Sequence, residues 1–596
     1  MTTMKFFTTI LLALISLELT AQINIISGTD GSLTITPKGI RGKLPTSTAQ
    51  DVNNISIGNN SLRLNLSGAQ NVAIGINALS DNTTGGSNVA IGVDALVTNK
   101  VNSGNVSIGT SAMQFADDQT VTQYVTYNTA VGVEALRGSF VPSNNTGISN
   151  TAIGGRVLAD NTSGTENTAL GSLTLIRNTS GNYNTSVGHF SLAHNVANSG
   201  STAIGHKAMN NSDNRTSGII TNNTAVGINA LRGSDTPSNN TGISNTVLGA
   251  NTLFTNTSGS SNVAVGVSAL SDNTSGDFNI AVGKDALLSN VVNSGITAIG
   301  YGAMKYAAST STTYMGTDFP GNTAIGYSAL RGSISSVNNV GTGNTAVGAV
   351  ALSGNTSGTE NVAVGAVALT KNTSGTANVA VGAVALLNSI TGYSNVAIGT
   401  NAGDVITAGY RNTLLGTGAN TSANNLFNSI AIGYNAIVNA SNKAVIGNSS
   451  VTTVGGYGNW SNYSDRRLKE NITYTQRLGL DFILKLKTSS YNYAADTNKR
   501  RRDGLIAQDV QAVMKALNLP FSGLIEDDDA QKTLNLAYAD FVMPLINAVK
   551  EQQVQIEKLK HENSAYKDDI AMLKNSVTEI KASLKPNLDS NKLGKK

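Results

Sequence analysis

A chain of 596 residues without cysteine has no disulfide, no thiolate metal site and no cysteine nucleophile. Its four histidines, His189, His194, His206 and His561, include no pair at metal-binding spacing, so neither a zinc centre nor another cofactor is expected. Charged residues are 13% of the total, about half the usual share, and a net charge of +4 on so long a chain points to no nucleic-acid partner.

The charges are unevenly spread. Residues 464–596 hold 22 of the 40 basic and 18 of the 36 acidic side chains, so two different materials join near residue 460. At the N-terminus, Lys5 precedes the apolar stretch Phe6–Leu17, and Ala21 stands before Gln22 as a small residue at a cut. This is the pattern of a secretory signal peptide, residues 1–21, removed after Ala21. The stretch is shorter than the roughly 20 residues that a membrane span needs, and no later segment approaches that length. An exported protein that does not cross the membrane is expected, secreted or held at the cell surface. Residues 22–53 do not repeat and are the expected attachment segment.

From Asn54 onward one phrase recurs, as in Asn71-Val-Ala-Ile-Gly75 and Asn361-Val-Ala-Val-Gly365, followed by Ala-Leu and then Asn-Thr-Ser-Gly. The closing Gly comes round 22 times between Gly58 and Gly447, mostly at intervals of 17, with longer intervals of 22, 23 or 26 and a last one of 14. Asn stands four residues before that Gly in 18 of the 22 copies. The inserts that begin at Arg137 and Arg232 are nearly identical and a degenerate third begins at Arg331, so blocks of five units are duplicated as well.

A short strict period means stacked units, each burying its face against its neighbours. Alternation puts Val72 and Ile74 on one face of a strand and Ala73 and Gly75 on the other, which suits a strand packed on both faces, the small side allowing close backbone approach. Asn-Thr-Ser-Gly is turn chemistry, and stacking predicts ladders of asparagine amides, each bonded to the next rung. A unit of this length, rich in Gly and β-branched residues, does not hold two helices. The expectation for residues 54–448 is a β-roll or β-solenoid shaft of 22 units, on the order of 100 Å long at about 4.8 Å per rung. Gly341-Thr-Gly343 is then repeat spacing and not a nucleotide loop, and the many Asn-x-Ser/Thr triplets are turns, not glycan acceptors. The array resembles the head repeats of trimeric autotransporter adhesins, which implies a trimeric β-roll. Those adhesins end in a membrane-anchor barrel, whereas this chain ends in charged helix.

A linker, residues 449–463, contains Gly455-Gly-Tyr-Gly458 and leads to Ser464-Asp-Arg-Arg-Leu-Lys-Glu-Asn-Ile472. An amphipathic stretch, Leu478–Leu486, follows, then an expected strand, Ser490–Tyr493, then Gly504-Leu-Ile-Ala-Gln-Asp-Val510 and the run from Leu534 to Gln552. On local sequence alone Ser464 reads as a helix cap, with Asp465 and Glu470 behind it. A separation of five also sets Ser464 and Lys469 off one helical face. Lys499–Arg502 reads as a solvated hairpin tip and Glu526–Asp529 as an exposed turn. From Val542 to Leu584, apolar or exceptional residues step by three and four without a break, with Asn563 at an a position. This is a coiled coil over 542–585, ended by Pro586 and followed by a disordered tail, 586–596.

Residues 463–560 resemble, in four motifs taken in order, the C-terminal intramolecular chaperone of endosialidase-type phage tail spikes, a self-cleaving serine–lysine peptidase domain. The resemblance implies that Ser464 is the nucleophile, Lys469 its general base, and Tyr463–Ser464 the bond cut. It implies an α+β domain over 464–541, with Gly504–Val510 as support, and three chains in the coiled coil.

The combined expectation is a mainly β, secreted homotrimeric fibre. Its C-terminal clamp aligns three chains so that near-identical rungs zip in register, and then cuts itself off once. A signal peptide argues against a virion part, because virions assemble inside the cell. The second reading is an adhesin or glycan-binding fibre, meeting a cell-surface or glycan receptor, whose trimerisation chaperone stays uncleaved. A substrate-processing enzyme in the shaft is the weakest reading, for lack of paired carboxylates or any non-repeating cleft sequence.

Overall fold

The computed structural model describes residues 54–116, 118, 125–307, 321–458 and 460–589. The signal-peptide and attachment segments lie outside these residues. The chain is mainly β and falls into two compact units, the second beginning near Ala286 and running to the C-terminus. Among the described residues the first carries thirteen three-residue strands, from Ile55–Ile57 to Ile280–Val282, and the second carries nine on the same pattern, from Thr297–Ile299 to Ala444–Ile446.

Within each unit successive strands pair in parallel with equivalent residues opposite each other. Val72, Ala73 and Ile74 face Val89, Ala90 and Ile91 in the first unit; Val362, Ala363 and Val364 face Val379, Ala380 and Val381 in the second. Each phrase is therefore one rung of a β-solenoid. The three inserts fold alike: short turns at Pro142–Asn144, Pro237–Asn239 and Ser336–Asn338 are clipped by the asparagine that follows. Asn145 accepts a hydrogen bond from Ser139 N at 2.9 Å and donates to the Phe115 carbonyl. Asn240 and Asn339 repeat both bonds, so the degenerate third insert keeps the geometry of the other two.

The expected asparagine ladders are present, and among the described residues two run through the buried interior. In the first, Asn88 donates its backbone N–H (3.0 Å) and its amide (3.2 Å) to Asn71 Oδ1. In the second, within the turn tetrapeptides, Asn82 Nδ2 donates to Asn65 Oδ1 at 2.7 Å and Asn178 Nδ2 to Asn161 Oδ1 at 2.8 Å. These asparagines are buried. A buried polar side chain is stable only when bonded, and rung-to-rung bonding provides this without charge. Asn82, Asn161 and Asn178 each open an Asn-Thr-Ser/Thr triplet, and their burial in the turns accords with the turn reading of those triplets.

Of the expected packing on both faces, the single chain fills one side only. The small face of the strand is the core and the large face lies outside: Ala73, Ala78 and Leu79 are fully buried, whereas Val72 and Ile74 are only half-buried. A narrow coil has room inside for two alanines and one leucine per turn, so the β-branched residues form columns on the outer face.

Rung spacing also explains the invariant Gly. At Gly365 φ is +136°, and an added Cβ would lie 2.5 Å from the Gly382 carbonyl oxygen. Gly365→Ala should therefore destabilise the shaft by on the order of 2–5 kcal/mol. Gly455→Ala, where nothing lies within 4 Å, should leave the thermal melt of the shaft unchanged. Equal melting of the two variants, followed by circular dichroism, would refute the close-approach argument.

Beyond the shaft the second unit ends in a small α+β module. Three helices, α1 (Leu480–Lys485), α2 (Ala507–Leu517) and α3 (Val542–Asp589), accompany two antiparallel hairpins, Thr488–Tyr491 with Arg502–Leu505 and Leu524–Glu526 with Leu534–Leu536. The first strand sits two residues before its expected place, because Tyr493 leaves the ladder to lie against the Arg502 guanidinium. The core is compact: Phe482, Val510, Phe521 and Phe541, with Phe521 and Phe541 edge to face at 4.7 Å. Val510 gives the Gly504–Val510 motif its supporting role. Helix α3 is tied to α1 by Glu551, whose carboxylate accepts from Leu480 N at 2.8 Å and so caps the shorter helix.

Helix α3 does not stop at Pro586 but runs on to Asp589. Proline's φ is already helical, and in a last turn its missing N–H removes a single bond. The expected disordered tail is corrected accordingly for 586–589; residues 590–596 lie outside the described ones. No helix among the described residues is long and apolar enough to cross a membrane.

Candidate functional site

The segment from Ser449 to Arg477 carries the motif that distinguishes this chain from a plain repeat array. A short 3₁₀ turn, Arg466–Leu468, is capped by Asp465, whose Oδ1 accepts from Arg467 N at 2.8 Å. The same carboxylate grips the Arg467 guanidinium through Nε (3.1 Å) and a terminal nitrogen (2.7 Å). That hydrogen-bonded pair holds the Asp465 carboxyl below the usual carboxylate range. Ser464 precedes the cap and Lys469, with extended φ and ψ of −123° and 138°, follows the turn.

This local path brings the two expected residues together: Lys469 Nζ donates to Ser464 Oγ at 2.8 Å. The objection that a separation of five lies off one helical face used the wrong ruler, since the turn between them is 3₁₀ and both flanks are extended. The helix-cap reading of Ser464 is also settled, because Asp465 takes that role. Sequence reasoning missed the Asp465–Arg467 clasp; its signal was the Asp-x-Arg spacing inside Ser464-Asp-Arg-Arg467.

A serine hydroxyl is a weak nucleophile until a base takes its proton, and a lysine can serve where burial favours its neutral form. The pair here stands open. Among the described residues, every side chain from Ser449 to Arg477 is exposed. Tyr463, on the acyl side of the bond, is almost fully exposed. One chain thus supplies a hydroxyl and an amine at bonding distance and leaves both in water.

The acidic run is a hairpin turn, as read from the sequence, but it is not wholly exposed. Asp527 is buried, with Lys443 Nζ on its Oδ2 at 2.5 Å and Asn439 Nδ2 at 3.0 Å. Burial alone would raise its pKa; the hydrogen bonds from Lys443, Asn535 and Asn439 outweigh that and hold the carboxyl below its ordinary value. Lys499–Arg502 lies at the far end of the first hairpin, where Arg500 Nε bonds Asp496 at 3.1 Å. His189 and His206 stack ring on ring at 5.4 Å. No group of three or more His, Asp or Glu side chains able to hold a metal occurs among the described residues.

Residues 464–519 match the family model described as the chaperone of endosialidase, and the match begins at Ser464 itself. Comparison with curated proteins and with solved structures gives no match.

Proposed function

Residues 464–519 being a chaperone-of-endosialidase domain behind a β-solenoid shaft, we propose that this is a secreted, homotrimeric, tail-fibre-like surface protein. Its module aligns three chains, folds the shaft and then cuts itself off between Tyr463 and Ser464. The observation that carries the reading is the 2.8 Å contact between Lys469 Nζ and Ser464 Oγ at the first residue of the matched domain.

In the reaction, Ser464 Oγ attacks the Tyr463 carbonyl carbon while Lys469 takes the hydroxyl proton and returns it to the departing Ser464 nitrogen. The product is an ester between Tyr463 and Ser464 Oγ. Water then hydrolyses it, leaving a carboxylate on Tyr463 and a free hydroxyl on Ser464. The reaction occurs once per chain and needs neither metal nor cofactor.

Two features of the single chain support association with further copies, which the family resemblance sets at three. The half-exposed columns Val362–Val379–Val396 and Val364–Val381–Ile398 run along the outer face of the rungs. On α3 the seam residues Val549, Ile556, Leu559, Ile570, Leu573 and Ile580 are all exposed, and three helices would cover them in a coiled coil. Association would also bring surface near the open Ser464–Lys469 pair and exclude water from it, which makes cleavage wait for assembly. The second reading, a receptor-binding fibre with an uncleaved chaperone, is favoured by that openness, since a hydrated pair cleaves slowly.

Intact mass of the purified full-length protein tests the reading. The expected result is a separate 133-residue fragment that starts at Ser464. A full-length chain in a trimeric preparation would remove the peptidase claim and leave the second reading.

A further inference from the structure

The shaft ends on a unit that breaks its own rules. The last interval is 14 residues long, and Lys443 occupies the place four before Gly447 where most units carry asparagine. Its backbone still serves the stack, its carbonyl accepting from Ile430 N at 2.9 Å. Its side chain does something no asparagine does: Nζ reaches Asp527 Oδ2 at 2.5 Å and Asn439 Oδ1 at 3.0 Å. Asn439 donates to Asp527 and, at 2.8 Å, to Asp529.

On the module side the hairpin turn is braced for this contact. Asp527 N donates to the Thr533 carbonyl at 2.9 Å, and Asp529 accepts from Thr533 N at 2.8 Å and Oγ1 at 2.7 Å. The other two acidic groups face Lys532, with Asp528 at 3.2 Å and Glu526 at 4.0 Å. Two carboxylates are thus presented to the shaft and two are neutralised locally. Elsewhere the shaft end and the module look at each other across a cleft of about 570 Å³, lined by Ile446, Val451 and Thr453 on one side and Tyr493, Asp496 and Arg502 on the other. The covalent link through Gly455–Gly458 touches nothing at its glycines.

We propose that Lys443 and Asn439 make the shaft end a receptor for the carboxylates of the module's own Asp527–Asp529 turn, and that this junction keeps the module seated after the covalent link is cut. A buried charge with its partner removed loses far more than a rim contact does, so each side of the junction depends on the other. The inference does not rest on self-cleavage.

The test therefore cuts the chain elsewhere. A specific-protease sequence is placed between Gly455 and Gly458 in the full-length Ser464→Ala protein, the protein is cut, and the fragments are run by size exclusion at about 0.15 M salt. Module and shaft should co-elute. Lys443→Asn, which installs the residue most units already carry at that position and so preserves the stack, should weaken retention by on the order of tenfold or more. Asp527→Asn should do the same, and the exchange Lys443→Asp with Asp527→Lys should restore retention. Separation of the unaltered junction, or equal retention by the Lys443→Asn protein, overturns the proposal.

Discussion

Replacing Ser464 by alanine should leave every chain at full length, with no fragment beginning at residue 464, because no other hydroxyl can form the ester with Tyr463. Removal of a nucleophile in a serine peptidase lowers the rate by on the order of 10⁴-fold or more, and for a single turnover this means no detectable product. Lys469→Ala should fail almost as completely, since a positioned base contributes about 10²–10⁴-fold. Lys469→Arg is the sharper variant. It keeps the charge, and its guanidinium can still donate to Ser464 Oγ, but it does not give up a proton at working pH, so it too should leave the chain uncut. Cleavage of the Lys469→Arg protein at the native rate would show that the 2.8 Å contact only orients the serine. Asp465→Ala, which loses the cap and the Arg467 clasp, should slow the cut without abolishing it, since the chain retains both reacting groups.

Expression of residues 1–463 without the module should yield little native shaft, lower by on the order of tenfold or more, most of it insoluble. Parallel pairing between segments far apart in sequence is slow. With rungs as alike as Val362–Val364 and Val379–Val381, a chain that slips by one unit loses few contacts and is hard to correct. The outward columns aggravate this, because they expose β-branched side chains until a partner covers them. The same shaft, obtained by cutting the folded full-length Lys443→Asn protein so that the module is released, should remain soluble and native, held by its unfolding barrier. That contrast separates a folding aid from a stabiliser. A charged substitution in the seam of α3, Ile570→Asp, should reproduce the deletion if alignment of three chains is what the module supplies. Native shaft in full yield from either variant would mean that the rungs find their register unaided.

Part of this was legible in the residues themselves. A strict period makes equivalent side chains meet in a parallel stack, so the asparagine ladders follow from the spacing of Asn71 and Asn88 without any knowledge of the coil's path. The boundary near residue 460 follows from charge density, and the chaperone module from motifs in order. Other points needed the folded chain. Alternation along Val72–Ala73–Ile74 separates two faces but does not say which is inside; the cross-section of the coil decided that, admitting alanine and leucine and turning the larger residues outward. The meeting of Ser464 with Lys469 depended on a 3₁₀ turn and two extended flanks, geometry that helical spacing rules do not describe. Lys443 and Asp527 lie 84 residues apart, and no local pattern pairs them, although the lysine's place in the asparagine column was a visible irregularity. Periodic contacts are written in the sequence because each unit states them again. A contact made once, between elements that meet only after folding, is decided by the tertiary structure.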